Sequence, residues 1–242
     1  MGNVNKLSDF ESIICLVYTE KQYRQEAHFD EMCRVGLKIS VEYHWNFPTP
    51  YDKWEMDRLP IVPFVRQRIG CYNVSKGHYA AIKTAYHLGV KTLLIMEDDC
   101  RFLKDLNKLE EYLSEAPDDW DVLMLDHFRM RGDVVQVNKH WARCRASASC
   151  ACYAVNRKAM ERLIRMYESA VKGNYRAPLL RNCDMWLDTK YLGDDVNFYC
   201  STPNLAVQCQ CPDESNCGRT HCDGKYEAMG ISYADYATYD TI

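Results

Sequence analysis

Apolar positions along the chain fall into short continuous runs separated by helical stripes. Ile13 to Tyr18 is almost wholly apolar and β-branched, the pattern of a strand covered on both faces. Lys38 to Trp45 alternates, with Ile39, Val41, Tyr43 and Trp45 on one side, and predicts a second strand. Ser75 to Leu88 predicts a helix capped by Ser75, striped by Ala81, Ile82, Ala85 and Leu88, and stopped by Gly89. Thr92 to Met96 reads as another buried strand, running straight into Glu97-Asp98-Asp99. Leu106, Leu109 and Leu113 place a helix before Pro117, and Val122 to Leu125 is a strand ending at Asp126-His127. Ala151 to Val155 is a further strand. Asn156 then caps a helix with Met160, Leu163, Ile164, Tyr167 and Val171 on one face. A short helix from Asp184 to Leu192 and a strand from Asn197 to Ser201 close the series.

Strands alternate with helices, which predicts an α/β sandwich around a mostly parallel sheet. Residues 1–208 are expected to form one domain, followed by an irregular Cys-rich tail over 209–242. The segment from Asn46 to Pro63 carries four prolines among aromatic residues and reads as a long loop of the kind that binds ligands.

Hydrophobic residues at 47% and charged residues at 26% exclude disordered and fibrous classes. A net charge of −4 without a basic run argues against nucleic acid as a partner, since that affinity comes mostly from neutralising phosphates. No apolar stretch is long enough for a transmembrane segment, and no signal-peptide core follows Met1, so a soluble cytoplasmic protein is expected. In that compartment most of the thirteen cysteines are expected to be reduced thiols. Cys15, Cys71, Cys100, Cys150, Cys152 and Cys200 lie in or beside apolar stretches and read as core fillers.

Candidate chemistry concentrates in Glu97-Asp98-Asp99. Three adjacent carboxylates repel one another, and the end of a buried strand is an expensive place for them unless a cation sits among them. Oxygen ligands suit Mg²⁺ or Mn²⁺, with remaining positions taken by phosphate oxygens and water. Ligands of open α/β sheets bind beyond the carboxyl ends of strands, where this triplet lies. The competing reading is a solvated acidic turn. His78 shares the apolar stripe of its helix, so it is either a satisfied core histidine or, in a first helical turn, a donor to a diphosphate. Asp126-His127, at the next strand end, and Arg66 and Arg68 are weaker candidates for ligand contact. Cys209, Cys211, Cys217 and Cys222, with His221, fit free thiols, a Zn²⁺ knuckle or disulfides.

Gly70-Cys71, then Ser75 and His78 with Ala81-Ile82 and Ala85, then Gly89 and Leu-Leu-Ile-Met-Glu-Asp-Asp, resembles the core signature of the family 25 glycosyltransferases, the lipooligosaccharide and collagen-galactosyl type. Asp119-Trp120-Asp121-Val122-Leu123, Cys152-Tyr153-Ala154-Val155-Asn156-Arg157-Lys158-Ala159, Cys183-Asp184-Met185-Trp186-Leu187 and Pro203-Asn204-Leu205-Ala206-Val207-Gln208 resemble later segments of that family. His78 follows Ser75 by three residues where the family has an adjacent pair, and the tail does not align.

The resemblance implies a GT-A fold, a nucleotide-sugar donor, a Mn²⁺ or Mg²⁺ ion and inversion at the anomeric carbon. It implies Asp99 as the residue that most directly meets the metal, Glu97 as its support and Asp98 near the donor ribose or the metal. Arg24, Ser75 and His78 fall on the donor-binding side, and His221 is a candidate to complete the metal shell. Asp184 is the expected base, unless it is a plain helix cap, with Asp188 one turn on. The expected partners are a UDP-sugar and a saccharide or glycoconjugate acceptor. Two other readings stand beside this one. A phosphoryl- or nucleotidyl-transfer enzyme lacks the Gly-rich phosphate loop it would need. The alternative is a non-catalytic binding protein on a glycosyltransferase scaffold with a zinc-stabilised tail.

Overall fold

The strands are β1 (Ser12–Tyr18), β2 (Val41–Trp45), β3 (Thr92–Glu97), β4 (Cys100–Phe102), β5 (Val122–Met124), β6 (Arg129–Arg131), β7 (Val135–Gln136), β8 (Trp141–Arg143), β9 (Ala146–Ala148), β10 (Cys152–Asn156), β11 (Phe198–Ser201) and β12 (Ala206–Gln208). The helices are α1 (Gln22–Arg34), α2 (Ile69–His87), α3 (Leu106–Ser114), α4 (Arg157–Val171) and α5 (Thr189–Leu192). These elements come from a computed structural model that describes residues 4–18, 22–38, 41–45, 69–127, 129–171, 189–208, 232 and 235–236. The loop expected over Asn46 to Pro63, Arg66, Arg68, Asp184, Asp188 and the tail from Cys209 through His221 and Cys222 lie outside the described residues.

Eight strands form one sheet in the order β2-β1-β3-β10-β5-β11-β8-β7. All but β10 and β8 point the same way. Two two-stranded ribbons, β12-β4 and β6-β9, are attached to it. One face of the sheet buries Cys15, Val17, Leu94 and Met96 with Met32 of α1 and Leu109 and Leu113 of α3. The other buries Ile14, Leu16, Leu93 and Ile95 with Ala81, Ile82 and Ala85 of α2 and Met160 and Leu163 of α4. Alternate residues of β1 and β3 serve opposite layers, which explains why both strands read as unbroken apolar runs. The architecture is the expected three-layer α/β sandwich with a mostly parallel sheet. Among the described residues no helix is long and apolar enough to cross a membrane.

The helix boundaries show where local signals held and where they misled. Helix α2 begins at Ile69, so Ser75 does not cap it but lies buried within its second turn. His78 is correspondingly interior to the helix, away from the amide-rich first turn that would favour a diphosphate. At the other end Gly89 does stop α2. Its φ of +83° lets its amide reach the Tyr86 carbonyl at 3.1 Å and the Val90 amide reach the Ala85 carbonyl at 3.1 Å, a Schellman closure. The chain turns away there and leaves Leu88 73% exposed, outside the stripe assigned to it. Of the expected core cysteines, Cys15, Cys100, Cys150, Cys152 and Cys200 are buried; the side chain of Cys71 lies outside the described set.

Asn156 caps α4 as expected. Its Oδ1 accepts from the Ala159 amide at 3.0 Å, while its Nδ2 donates to Asp121 Oδ1 at 2.7 Å and to the Trp120 carbonyl at 2.9 Å, all in a buried setting. Asn156→Ala removes the cap and strands two buried acceptors. The expected loss is about 2–4 kcal/mol, read as a thermal midpoint lowered by roughly 5–15 °C. A midpoint within about 2 °C of the unaltered chain would show that the network is replaceable.

Candidate active site at the carboxyl rim of the sheet

Strands β1, β3 and β5 end on one rim, and β10 starts there because it runs against them. Asp98 and Asp99 form the two-residue turn between β3 and β4. The turn is tied to its neighbours by backbone bonds from the Asp98 amide to the Leu16 carbonyl at 3.1 Å and from the Glu97 amide to the Ala151 carbonyl at 2.8 Å. Both aspartates are buried, at 1% and 7% exposure.

Their charge is met by Arg24, in the first turn of α1. Its Nη2 donates to Asp98 Oδ1 and to Asp99 Oδ2, the latter at 2.8 Å. Gln208, the last residue of β12, donates from Nε2 to the same Asp99 oxygen at 3.1 Å. Arg101, fully buried, holds the turn from below by donating to the Asp98 carbonyl at 3.1 Å and the Cys100 carbonyl at 2.7 Å. The second Asp99 oxygen, Oδ1, is buried and has no hydrogen-bond partner among the described residues. Burial pushes the Asp99 carboxyl above its ordinary range; Arg24 pulls it down, the nearby Glu97 charge adds to the rise, and Gln208 and Arg101 oppose it.

Glu97 follows the alternation of β3 and takes the α2 side of the sheet. Its Oε1 meets His78 Nε2 at 3.2 Å, and His78 Nδ1 meets the Tyr153 hydroxyl at 2.9 Å, with the two rings stacked at 5.6 Å. His78 and Tyr153 are fully buried, whereas the Glu97 side chain is 19% exposed. Ser75 lies buried one turn before His78 on the same helix.

A second polar cluster continues the rim. Asp126, at the end of β5, accepts from Ser149 Oγ and, at 3.4 Å, from Asn204 Nδ2. Ser149 holds a φ of +102°, a strained value for a residue with a Cβ, directly after β9. His127 Nε2 donates to the Ser201 carbonyl at 2.8 Å, and burial lowers its pKa from 6.5 to about 4. The segment from Asn204 to Gln208 therefore joins the Asp126 cluster to the Asp99 cluster.

Arg24, Asp98 and Asp99 are thus brought into contact, and Glu97 and His78 into contact beside them. Asp184, Asp188 and His221 lie outside the described residues. Sequence reasoning missed Tyr153, Gln208, Ser149 and Asn204. A signal for Tyr153 and Gln208 existed, since both stand in segments that carry the family resemblance, Cys152 to Ala159 and Pro203 to Gln208.

Among the described residues no three His, Cys, Asp or Glu side chains converge as a ready metal cage. The chemistry of a hard divalent cation asks for less: Mg²⁺ and Mn²⁺ sites commonly use one or two carboxylates and complete the shell with phosphate oxygens and water. Asp99 Oδ1, without a hydrogen-bond partner among the described residues and set beside the Asp98 carboxylate that shares Arg24 with it, fits such an ion.

No family model matches the chain, and no curated protein matches it. Among solved structures, A197 from STIV superposes with a TM-score of 0.40 at 12% identity, over 78% of this chain and 81% of that one. A glycosyltransferase involved in glycosylation of the major capsid of PBCV-1 gives 0.43 at 11% identity, over 90% and 98%. Mannose-1-phosphate geranyltransferase from Thermus thermophilus gives 0.39 at 9% identity, over 81% and 74%. Superpositions at this level leave the chemistry to be argued from the chain's own residues.

Proposed function

We propose that this chain is a divalent-metal-dependent, inverting glycosyltransferase of the family 25 type. It would move a hexose, galactose among the candidates, from a UDP-sugar to a hydroxyl of a saccharide or glycoconjugate. The observation that carries this reading is the buried Asp98–Asp99 turn at the end of β3, with one Asp99 oxygen lacking a hydrogen-bond partner among the described residues. Burying two carboxylates is costly, and a purely structural turn has no need of them.

In this reading Asp99 holds the cation and Asp98 shares it or meets the donor ribose. The ion supplies positive charge against the diphosphate oxygens that become more negative as the sugar leaves. Arg24 keeps both carboxylates in register from α1, and Gln208 fixes the rotation of Asp99. Arg101 locks the turn's backbone so that the carboxylates do not reorganise during the reaction. Asp184 or Asp188 takes the proton of the acceptor hydroxyl on the opposite side of the sugar, and His221 is a further candidate ligand.

A panel of nucleotide sugars scanned for thermal stabilisation with and without Mn²⁺, followed by assay of UDP release, tests this. A UDP-sugar at a hundred times its Kd stabilises by about 2.7 kcal/mol, a rise of roughly 5–11 °C. That rise should require Mn²⁺. Stabilisation without turnover would favour the non-catalytic binding protein, and no stabilisation by any member of the panel would end the donor reading.

A further inference from the structure

The far edge of the sheet, at β7, gathers charge of the opposite sign to the chain as a whole. Arg129, Arg131, Lys139, Arg143 and Arg145 lie within residues 129–145 beside a single carboxylate, Asp133, although the net charge of the chain is −4. These residues build one bent two-stranded ribbon. β6 pairs with β9, the Arg145 amide donates to the Arg131 carbonyl at 3.0 Å, and β7 pairs with β8. Met130 packs inward on the core, so by the alternation of a strand Arg129 and Arg131 turn outward. Arg143 and Arg145 are exposed between the buried Ala142, Cys144 and Ala146. Among the described residues Arg129, Arg131, Lys139 and Arg143 enter no ion pair.

The same ribbon exposes apolar surface, with Val134, Val135 and Val137 at 47, 56 and 44%. Gln136 turns back onto the protein, donating from Nε2 to the Asn138 carbonyl at 2.7 Å and to the Thr202 hydroxyl at 2.8 Å. Val135 and Val137 therefore take the other face, which Arg143 shares through its pairing with Val135. Cations alone would suit any polyanion, but a nucleic acid offers no apolar phase for the valines. A second copy paired edge to edge would set these cations against their twins. The interface of an anionic bilayer meets both demands, with phosphates for the guanidinium groups and the acyl boundary for the valines. We propose that the β6–β9 ribbon docks the chain on a membrane surface rich in anionic lipid, as a peripheral contact. This surface is separate from the Asp98–Asp99 turn, and the proposal does not depend on the donor reading.

Co-sedimentation of the full chain with vesicles of phosphatidylcholine, alone or with about 30% phosphatidylglycerol, tests this. Partitioning should be at least about 30-fold stronger on the anionic vesicles. It should fall away between about 0.1 M and about 1 M salt, where the screening length shrinks from about 10 to about 3 Å. Arg129→Gln with Arg131→Gln should weaken binding to anionic vesicles by about 10–30-fold, and Val135→Ser with Val137→Ser by about 5–10-fold. Lys139→Gln, outside both strands, should weaken it by about 3–5-fold and serves as a charge variant that leaves the strand pairing alone. Melting curves within about 2 °C of the unaltered chain show that each variant keeps the fold. Equal partitioning on neutral and anionic vesicles, or none on either, overturns the proposal. Loss in the charge variants with none in the valine variant makes the ribbon a site for a soluble polyanion and overturns the bilayer assignment. Dimers in the absence of vesicles that Val135→Ser with Val137→Ser dissociates give the surface to a second copy, and overturn it as well.

Discussion

Asp99→Asn should abolish UDP release from a UDP-sugar while leaving the thermal midpoint unchanged or a few degrees higher. The two effects separate because Asp99 is costly to the fold. Its carboxyl is pushed above the ordinary range by burial, with Arg24 opposing and Glu97 adding to the rise, so keeping it ionised costs the fold free energy. Removing that charge removes an unfavourable contribution. Arg24 keeps Asp98 as its counter-ion, so no buried cation is stranded. An isosteric amide still offers an acceptor oxygen to Gln208. What the amide does not replace is the negative charge that would hold a divalent ion. A loss of at least about 10³ in kcat/KM is expected, corresponding to about 4 kcal/mol of transition-state stabilisation. Steady-state kinetics beside a melting curve checks both halves. Turnover within tenfold of the unaltered chain removes Asp99 from the metal site, and a midpoint lowered by 10 °C makes it a structural residue.

Acid should destabilise the fold well before the carboxylates titrate. Burial, then Arg101 and Arg24, lowers the His28 pKa to about 4, and burial lowers His127 to about 4, against 6.5 in the unfolded chain. Between these values the unfolded state binds protons that the folded state refuses. Stability is therefore full above pH 6.5 and falls as the pH drops towards 4. Each ring contributes at most about 1.4 kcal/mol per pH unit, or roughly 3 kcal/mol in all, a large share of an ordinary domain's stability. Asp99 works in the opposite sense, since its raised pKa makes protonation favour the folded state, and it offsets part of the loss. Urea unfolding at pH 7, 6 and 5 measures the slope. His127→Gln, which can still donate to the Ser201 carbonyl, should remove about half of it. A stability profile flat from pH 7 to 5 would falsify the assignment.

Much of the frame is readable from residue pattern because its signals are local. Asn156 and Gly89 act where they stand, and the runs at Ile13 to Tyr18 and Thr92 to Met96 needed only their own composition. Helix α1 was invisible to the same reading for a physical reason. The side chains it buries include Arg24, His28 and Glu31, spaced as one helical face, and among its described side chains only Met32 joins the apolar core. A helix whose inward face is polar produces no apolar stripe. Glu31 is satisfied by a bidentate pair to Arg34 and by the Phe102 amide at 2.8 Å, partners that composition does not announce. Ser75 misled because a serine before an apolar stripe has the chemistry of a cap whether or not the helix already runs through it.

The amino-acid sequence by itself determined the layers, six of the eight strands of the large sheet and the acidic turn after β3, because periodicity, caps and glycines act over a few residues. Only the tertiary structure decided that β10 runs against β3 and β5, that Arg24 spans Asp98 and Asp99, and that Glu97 turns to the opposite face towards His78 and Tyr153. Those choices depend on which distant groups share a buried rim, and desolvated charges take their partners from whatever the packing brings within reach.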